Sequence, residues 1–109
     1  LPDQGVRDVA GMLRSFDYVG GTFEQARGES ARAWVRSAQQ AFLDGYAERA
    51  GADPRRLGAL LAAFELDKAM YEVVYEARNR PGWVDIPLGA VRRLTAHFSQ
   101  EPTSQGEPT

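Results

Sequence analysis

The chain has 109 residues, 43% of them apolar and 26% charged, with a net charge of −2 and no cysteine. That length suits one small domain with a real core, and the mild acidity argues against nucleic acid or an anionic membrane as the main partner. The missing thiols exclude a disulfide framework or thiolate metal site and point to the cytoplasm; no apolar run approaches the ~20 residues of a bilayer crossing. No signal peptide opens the chain, and its start at Leu1 rather than Met reads as a piece of a longer polypeptide or a processed product.

Residues 1–5 read as an entry loop. Val6 to about Tyr18 reads as a first helix, with Val6, Val9, Ala10, Leu13 and Phe16 on its apolar face. Asp8, Gly11 and Ser15 fall on the opposite face, where Asp8 either complements the positive end of the helix dipole or accepts from a backbone that approaches over the two small residues. Gly20-Gly21 reads as the helix stop and Thr22 to Gly28 as a connector. Ser30 is the expected N-cap of a second helix, about Ala31 to Ala50, burying Ala31, Trp34, Val35, Ala38, Ala41, Phe42, Gly45 and Tyr46. Gly45 inside that arc predicts a close helix crossing, and Gly51 ends the helix.

Asp53-Pro54 is a cap followed by proline at the first helical position, opening a third helix that continues to about Arg80. Its apolar stripe swings by half a turn near Phe64–Glu65. Leu57, Leu60, Leu61 and Phe64 lie on one side, and Leu66, Met70, Val73, Val74 and Ala77 on the other. That swing predicts either a break in the helix, the preferred expectation, or one rod packed on two opposite sides. The later polar side carries Glu65, Lys68, Tyr71, Glu72, Tyr75, Glu76 and Asn79 and is expected at the surface. Pro81 stops the helix, Gly82 permits a tight turn, Trp83 to Ile86 reads as extended, and Pro87 opens a last helix to about Phe98. The chain has no repeat and no strand-period segment, so the expected class is all-α, a compact bundle of about four helices over residues 1–98, with a disordered polar tail over 99–109.

Several chemistries lack their residues. There is no glycine-rich phosphate loop, no nucleophile elbow, no Asp-Phe-Gly signature and no Asp…Asn catalytic loop. His97 is the only histidine and has no ligand partner one helical turn away, so it reads as a complement to a helix C-terminus and not as a metal ligand. No catalytic residue, no metal site and no cofactor is expected in this chain.

VRDVAGMLRSFDY (Val6–Tyr18), AFLDGY (Ala41–Tyr46) and FELDKAMYEVVYEARNRPGWVDIPL (Phe64–Leu88) resemble the C-terminal end of the maltokinase family, from Val6 to Phe98. These are ATP-dependent maltose 1-phosphotransferases with an aminoglycoside-phosphotransferase-like kinase fold, often fused to trehalose synthase. The resemblance implies the helical end of a kinase-like C-lobe, with ATP and Mg²⁺ handled by a preceding kinase portion that this chain lacks. It implies maltose or a related disaccharide as partner, held by Lys68, Tyr71, Glu72, Tyr75, Glu76 and Trp83, and it implies that Asp8 braces the catalytic loop. Read as residues alone, Glu72 and Glu76 equally suit ordinary ion pairs with Lys68, Arg78 or Arg80, and Trp83 equally suits a core anchor. A stand-alone helical interaction module or a non-catalytic carbohydrate-binding domain are the alternative functions.

Overall fold

The structure, a computed structural model, describes residues 3–99. It consists of α1 (Asp3–Arg27), α2 (Arg32–Ala50), a 3-10 turn (Pro54–Leu57) running into α3 (Gly58–Asn79), a second 3-10 turn (Pro81–Trp83) and α4 (Asp85–Ser99). The described residues form an all-α bundle of four helices, as the periodicity predicts. The expected tail lies outside the described residues except for Ser99, which ends α4, and the His97 side chain lies outside them too.

The core sits where α1, α2 and the start of α3 meet. Val6, Val9, Ala10 and Leu13 of α1 pack with Leu43 and Leu61, and Phe42, Tyr46 and Phe64 close its edge. Tilted rings extend it: Phe16 lies 6.0 Å from Phe42, and Phe42 lies 6.1 Å from Tyr46. The expected apolar face of the first helix is therefore the true one. On α2 the buried positions are Val35 and Leu43, with Ala31 buried just before the helix, whereas Trp34, Ala41 and Gly45 face outward. No described helix crosses at Gly45, where an added Cβ would meet nothing within 4 Å among the described residues.

The first helix does not stop at Gly20-Gly21 but runs on to Arg27. Those glycines are packing residues: a Cβ on Gly20 would run into Val35 of α2, and one on Gly21 would come within 2.7 Å of Ile86 of α4. The roughly 1 kcal/mol that a mid-helix glycine costs against alanine is offset by the close approach of two neighbouring helices. The stop is Gly28, at φ +73°, whose N–H donates to the Glu24 carbonyl at 2.8 Å. Glu24 then reaches across the turn, and its carboxylate accepts from the Ala31 N–H at 2.7 Å. The N-cap position is Ala31 and not the expected Ser30, whose hydroxyl accepts from the Arg32 N–H two residues on, at 3.2 Å.

Asp53 caps as expected, its carboxylate accepting from the Arg55 N–H at 2.9 Å with Pro54 next in line, but the first turn is 3-10. α3 is then continuous through Phe64–Glu65, so the expected break is absent. α3 packs against both α1 and α4, so one unbroken rod meets two partners. Leu61, Ala62, Ala69 and Glu76 are buried along it, with Glu65, Leu66, Glu72 and Val73 half-buried, and the inward residues turn from apolar to largely acidic along its length. Met70 and Val74 remain 55% and 51% exposed. Trp83 to Ile86 is not extended either: Trp83 closes the second 3-10 turn, and α4 begins at Asp85 with Pro87 in its first turn, where a missing N–H has no helical partner to lose. No described helix is long and apolar enough to cross a membrane.

The two kinds of glycine make opposite predictions. Gly20→Ala should lower stability by about 1–3 kcal/mol through overpacking against Val35. Gly45→Ala should raise it by roughly 0.5–1 kcal/mol, because open space surrounds an exposed mid-helix position. Thermal melting of both variants checks the contrast, and a Gly20→Ala protein that melts with the wild type would show that α1 and α2 are not in close contact there.

Candidate functional site

Beyond Leu13 the buried stripe of α1 turns from apolar to charged, and α3 answers it in kind. Arg14 and Asp17 are 3% and 4% exposed, one turn apart on α1. Arg14 Nη1 donates to Asp17 Oδ2 at 2.7 Å, and its Nε donates to Glu72 Oε1 at 2.9 Å. Nη2 of Arg14 lies 2.7 Å from that same Glu72 oxygen as an ion contact without hydrogen-bond alignment. The other Asp17 oxygen, Oδ1, accepts from Arg32 of α2 and Arg93 of α4, each at 2.7 Å. One turn further along, Glu76 accepts from the Tyr18 hydroxyl at 2.7 Å and from Nε and Nη2 of Arg80, both at 2.9 Å. Arg80 in turn lies 4.3 Å from the Trp83 ring and 5.8 Å from the Tyr75 ring.

The electrostatics follow from who shares which charge. Burial works to raise the Asp17 carboxyl, but hydrogen bonds from Arg14 and Arg32 and the nearby charges of Arg14 and Arg93 prevail and hold it below the usual range. Arg14 is likewise held charged, its two acids outweighing its burial. Glu72 moves the other way: burial raises it, and an Arg14 already engaged by Asp17 does not fully compensate. Glu76 is lowered, first by Arg80, since it is shielded by its own partners at the edge of the bundle. The Tyr18 phenol is raised by burial and by donating to Glu76.

The residues expected at one polar surface are thus divided. Glu72 and Glu76 turn inward, whereas Lys68, Tyr71 and Tyr75 stay outside, with Tyr71 67% exposed. Glu76, Tyr75 and Trp83 are brought together through Arg80, with Trp83 half-buried against that guanidinium. Lys68 is close enough to act on the Glu72 charge. Asp8 is exposed and accepts from Gln4 Nε2 at 3.0 Å; beside it the Ser15 hydroxyl donates to the Gly11 carbonyl at 3.1 Å, and among the described residues no other helix covers that face. Arg14, Asp17, Tyr18, Arg32 and Arg93 are absent from the sequence expectation. Their one signal is the Arg14-Asp17 pair, standing where the α1 stripe should have stayed apolar.

Around this cluster open two clefts. The larger, about 370 Å³, lies between α2, α3 and α4 over Val35, Leu61, Ala62, Ala90 and Leu94. Glu65 reaches into it with no hydrogen bond or ion pair among the described residues, and burial pushes its carboxyl up to about 7. The smaller, about 220 Å³, opens on the far side of Asp17 towards Gly21, Asp85 and Gly89. Among the described residues, no group of three or more His, Cys, Asp or Glu side chains is placed to hold a metal ion.

No family model matches the chain. Over 87 residues it is 36% identical to a glucosamine kinase from Streptacidiphilus jiangxiensis, an alignment covering 73% of this chain and 20% of that protein. The chain is similar to part of a kinase. It spans about a fifth of that relative's length.

The charged seam makes two predictions. Asp17→Asn should destabilise the fold by about 3–5 kcal/mol, since it leaves three guanidiniums facing one another, and Glu72→Gln by about 1–3 kcal/mol, since Arg14 keeps Asp17. For pH, Glu65 titrates higher folded, at about 7, than its ordinary 4.5, so folding takes up a proton between those values. Its contribution is therefore most favourable below 4.5, declines as pH rises to about 7, and is fully unfavourable above. Glu65→Gln should match the wild type at pH 4 and exceed it at pH 8, by up to roughly 3 kcal/mol. Denaturant melts across that range check it; a constant gap between the two proteins would mean that Glu65 does not titrate there.

Proposed function

We propose that this chain is the acceptor-sugar side of a sugar kinase, the helical end of a C-lobe like that of the maltokinases. The observation that carries the reading is the likeness to a glucosamine kinase, which includes a sugar among its substrates by name. The surface chemistry supports it. Tyr71 and Tyr75 present exposed phenols one turn apart on α3, beside Lys68. An aromatic face suits the apolar side of a pyranose, and a phenol or ammonium suits its hydroxyls.

The two glutamates then differ in role. Both oxygens of Glu76 are engaged, by Tyr18 and Arg80, so it braces Arg80 and through it Tyr75 and Trp83. Both Arg14 contacts fall on Oε1 of Glu72, which leaves Oε2 as an acceptor for a sugar hydroxyl. Asp8, exposed beside Gly11 and Ser15, braces the catalytic loop of the kinase portion that this chain lacks. ATP and Mg²⁺ are handled by that portion, since phosphoryl transfer rests on positioning and on charge around the γ-phosphate and its metal, and the glycine-rich and Asp-Phe-Gly segments have no counterpart here. By itself the chain does not phosphorylate sugar.

In the kinase that carries this chain, Tyr75→Ala should raise KM for the acceptor sugar about three- to tenfold, the worth of one aromatic contact. KM for ATP should stay as it is. Steady-state kinetics with maltose and with glucosamine as acceptors check both statements and name the acceptor. A variant that alters only the ATP constant, or neither, would remove the sugar from this face.

A further inference from the structure

The geometry points to a second binding site, independent of the sugar reading. The cleft between α2, α3 and α4 takes a small organic oxyanion, a phosphate or carboxylate on an uncharged and partly apolar body, held by Arg32, Arg36 and Arg93. Arg32 and Arg93 each lie 2.7 Å from the same oxygen of Asp17, so their guanidiniums stand side by side at the cleft wall. A guanidinium carries five N–H donors in a planar fork that matches phosphate and carboxylate oxygens. Arg93 uses one of these donors, on Asp17, and is 46% exposed. Arg36 lines the same cleft and has no ion pair among the described residues.

The charge around the cleft is uneven. Arg14, Arg32, Arg36 and Arg93 are four cations, the carboxylates paired with them are Asp17, Glu24 and Glu72, and Glu65 balances the fourth cation only when it is ionised. Burial lowers the Arg93 guanidinium, aided by the neighbouring Arg32 and Arg14 charges, and the opposing Asp17 and Glu24 charges do not fully offset it. An added anion would relieve that crowding. The floor of Val35, Leu61, Ala62, Ala90 and Leu94 is apolar, and about 370 Å³ exceeds what a bare phosphate fills, which selects an organic body.

Glu65 gives the site a signature. It reaches into the cleft from α3, facing Arg14 and Asp17 from α1, Arg32 and Arg36 from α2, and Arg93 from α4. Ionised, it repels a bound anion. Neutral, it does not, so binding strengthens as the pH falls through about 7.

The test is a titration of the 109-residue chain, at constant ionic strength, with sulfate, inorganic phosphate and phenyl phosphate, following the arginine Nε–H signals by NMR. Saturable shifts of Arg32, Arg36 and Arg93 are expected, with phenyl phosphate several-fold tighter than inorganic phosphate. Arg36→Gln, which breaks no ion pair among the described residues, should weaken binding roughly tenfold without lowering the melting temperature, whereas Arg78→Gln outside the cleft should not. Sulfate does not titrate in this range, so its affinity should rise from pH 8 to 6 in the wild type and stay level in Glu65→Gln. Non-saturating shifts, equal affinity for the two phosphates, or an Arg36→Gln protein that binds as well as the wild type would each overturn the proposal.

Discussion

The bundle depends on one buried carboxylate. Asp17 of α1 binds Arg14 of its own helix, Arg32 of α2 and Arg93 of α4, and Arg14 carries the chain of contacts on to Glu72 of α3. All four helices are therefore joined through a group that an apolar core would exclude. Such a cluster adds little net stability over well-packed apolar side chains, because desolvating the ions costs several kcal/mol each. It is demanding in geometry, however. A helix that rotates or slips by one residue breaks several charge-assisted bonds at once, whereas an apolar contact would adapt. The Leu13–Leu43–Leu61 core supplies the burial, and Asp17 fixes how α4 and the second half of α3 sit upon it.

This also explains which parts of the fold were legible in the sequence. On α1 the apolar pattern and the core agree, since Val6, Val9, Ala10 and Leu13 are its core face, and Asp53-Pro54 opens the third helical segment; on α2 the pattern also includes Trp34 and Ala41, which face outward. Where burial is ionic, the pattern inverted. Beyond Phe64 the inward arc of α3 is Glu65, Ala69, Glu72 and Glu76, and an amphipathic reading places those acids outside and Met70 and Val74 inside. The apparent swing of the stripe accompanies a change of chemistry along the inward residues, from apolar to largely acidic. A sequence shows the period of its polarity but not the partner, and Arg14 lies 58 residues before the Glu72 that it neutralises.

Gly20 and Gly21 illustrate a second limit. A glycine pair after an amphipathic segment is an ordinary stop signal, and here it is a notch in which Val35 and Ile86 sit. The two meanings differ only in what lies opposite, and that is tertiary information. Gly45 errs the other way, as a glycine read as a contact that has nothing near it. The true stop is Gly28 at φ +73°, and an end at Gly20-Gly21 would leave it as no more than the close of a connector.

The division of α3 into an ionic inner side and an apolar outer side bears on what the chain is for. A helix that faced water on its outer side throughout would seldom keep Met70, Tyr71, Val74 and Tyr75 there together, and α1 repeats the arrangement with Met12, Val19 and Phe23. Both outer faces lie apart from the Asp17 cluster, so they are not by-products of holding the bundle together. On the kinase-fragment reading, the two needs are separated in space. The inner acids set the position of α3 and, through Glu76 and Arg80, the orientation of Tyr75 and Trp83. The outer phenols are then presented on a helix whose rotation is already fixed. A sugar site built this way gains its precision from the charges beneath it, so Glu76 would shape sugar recognition without touching the sugar.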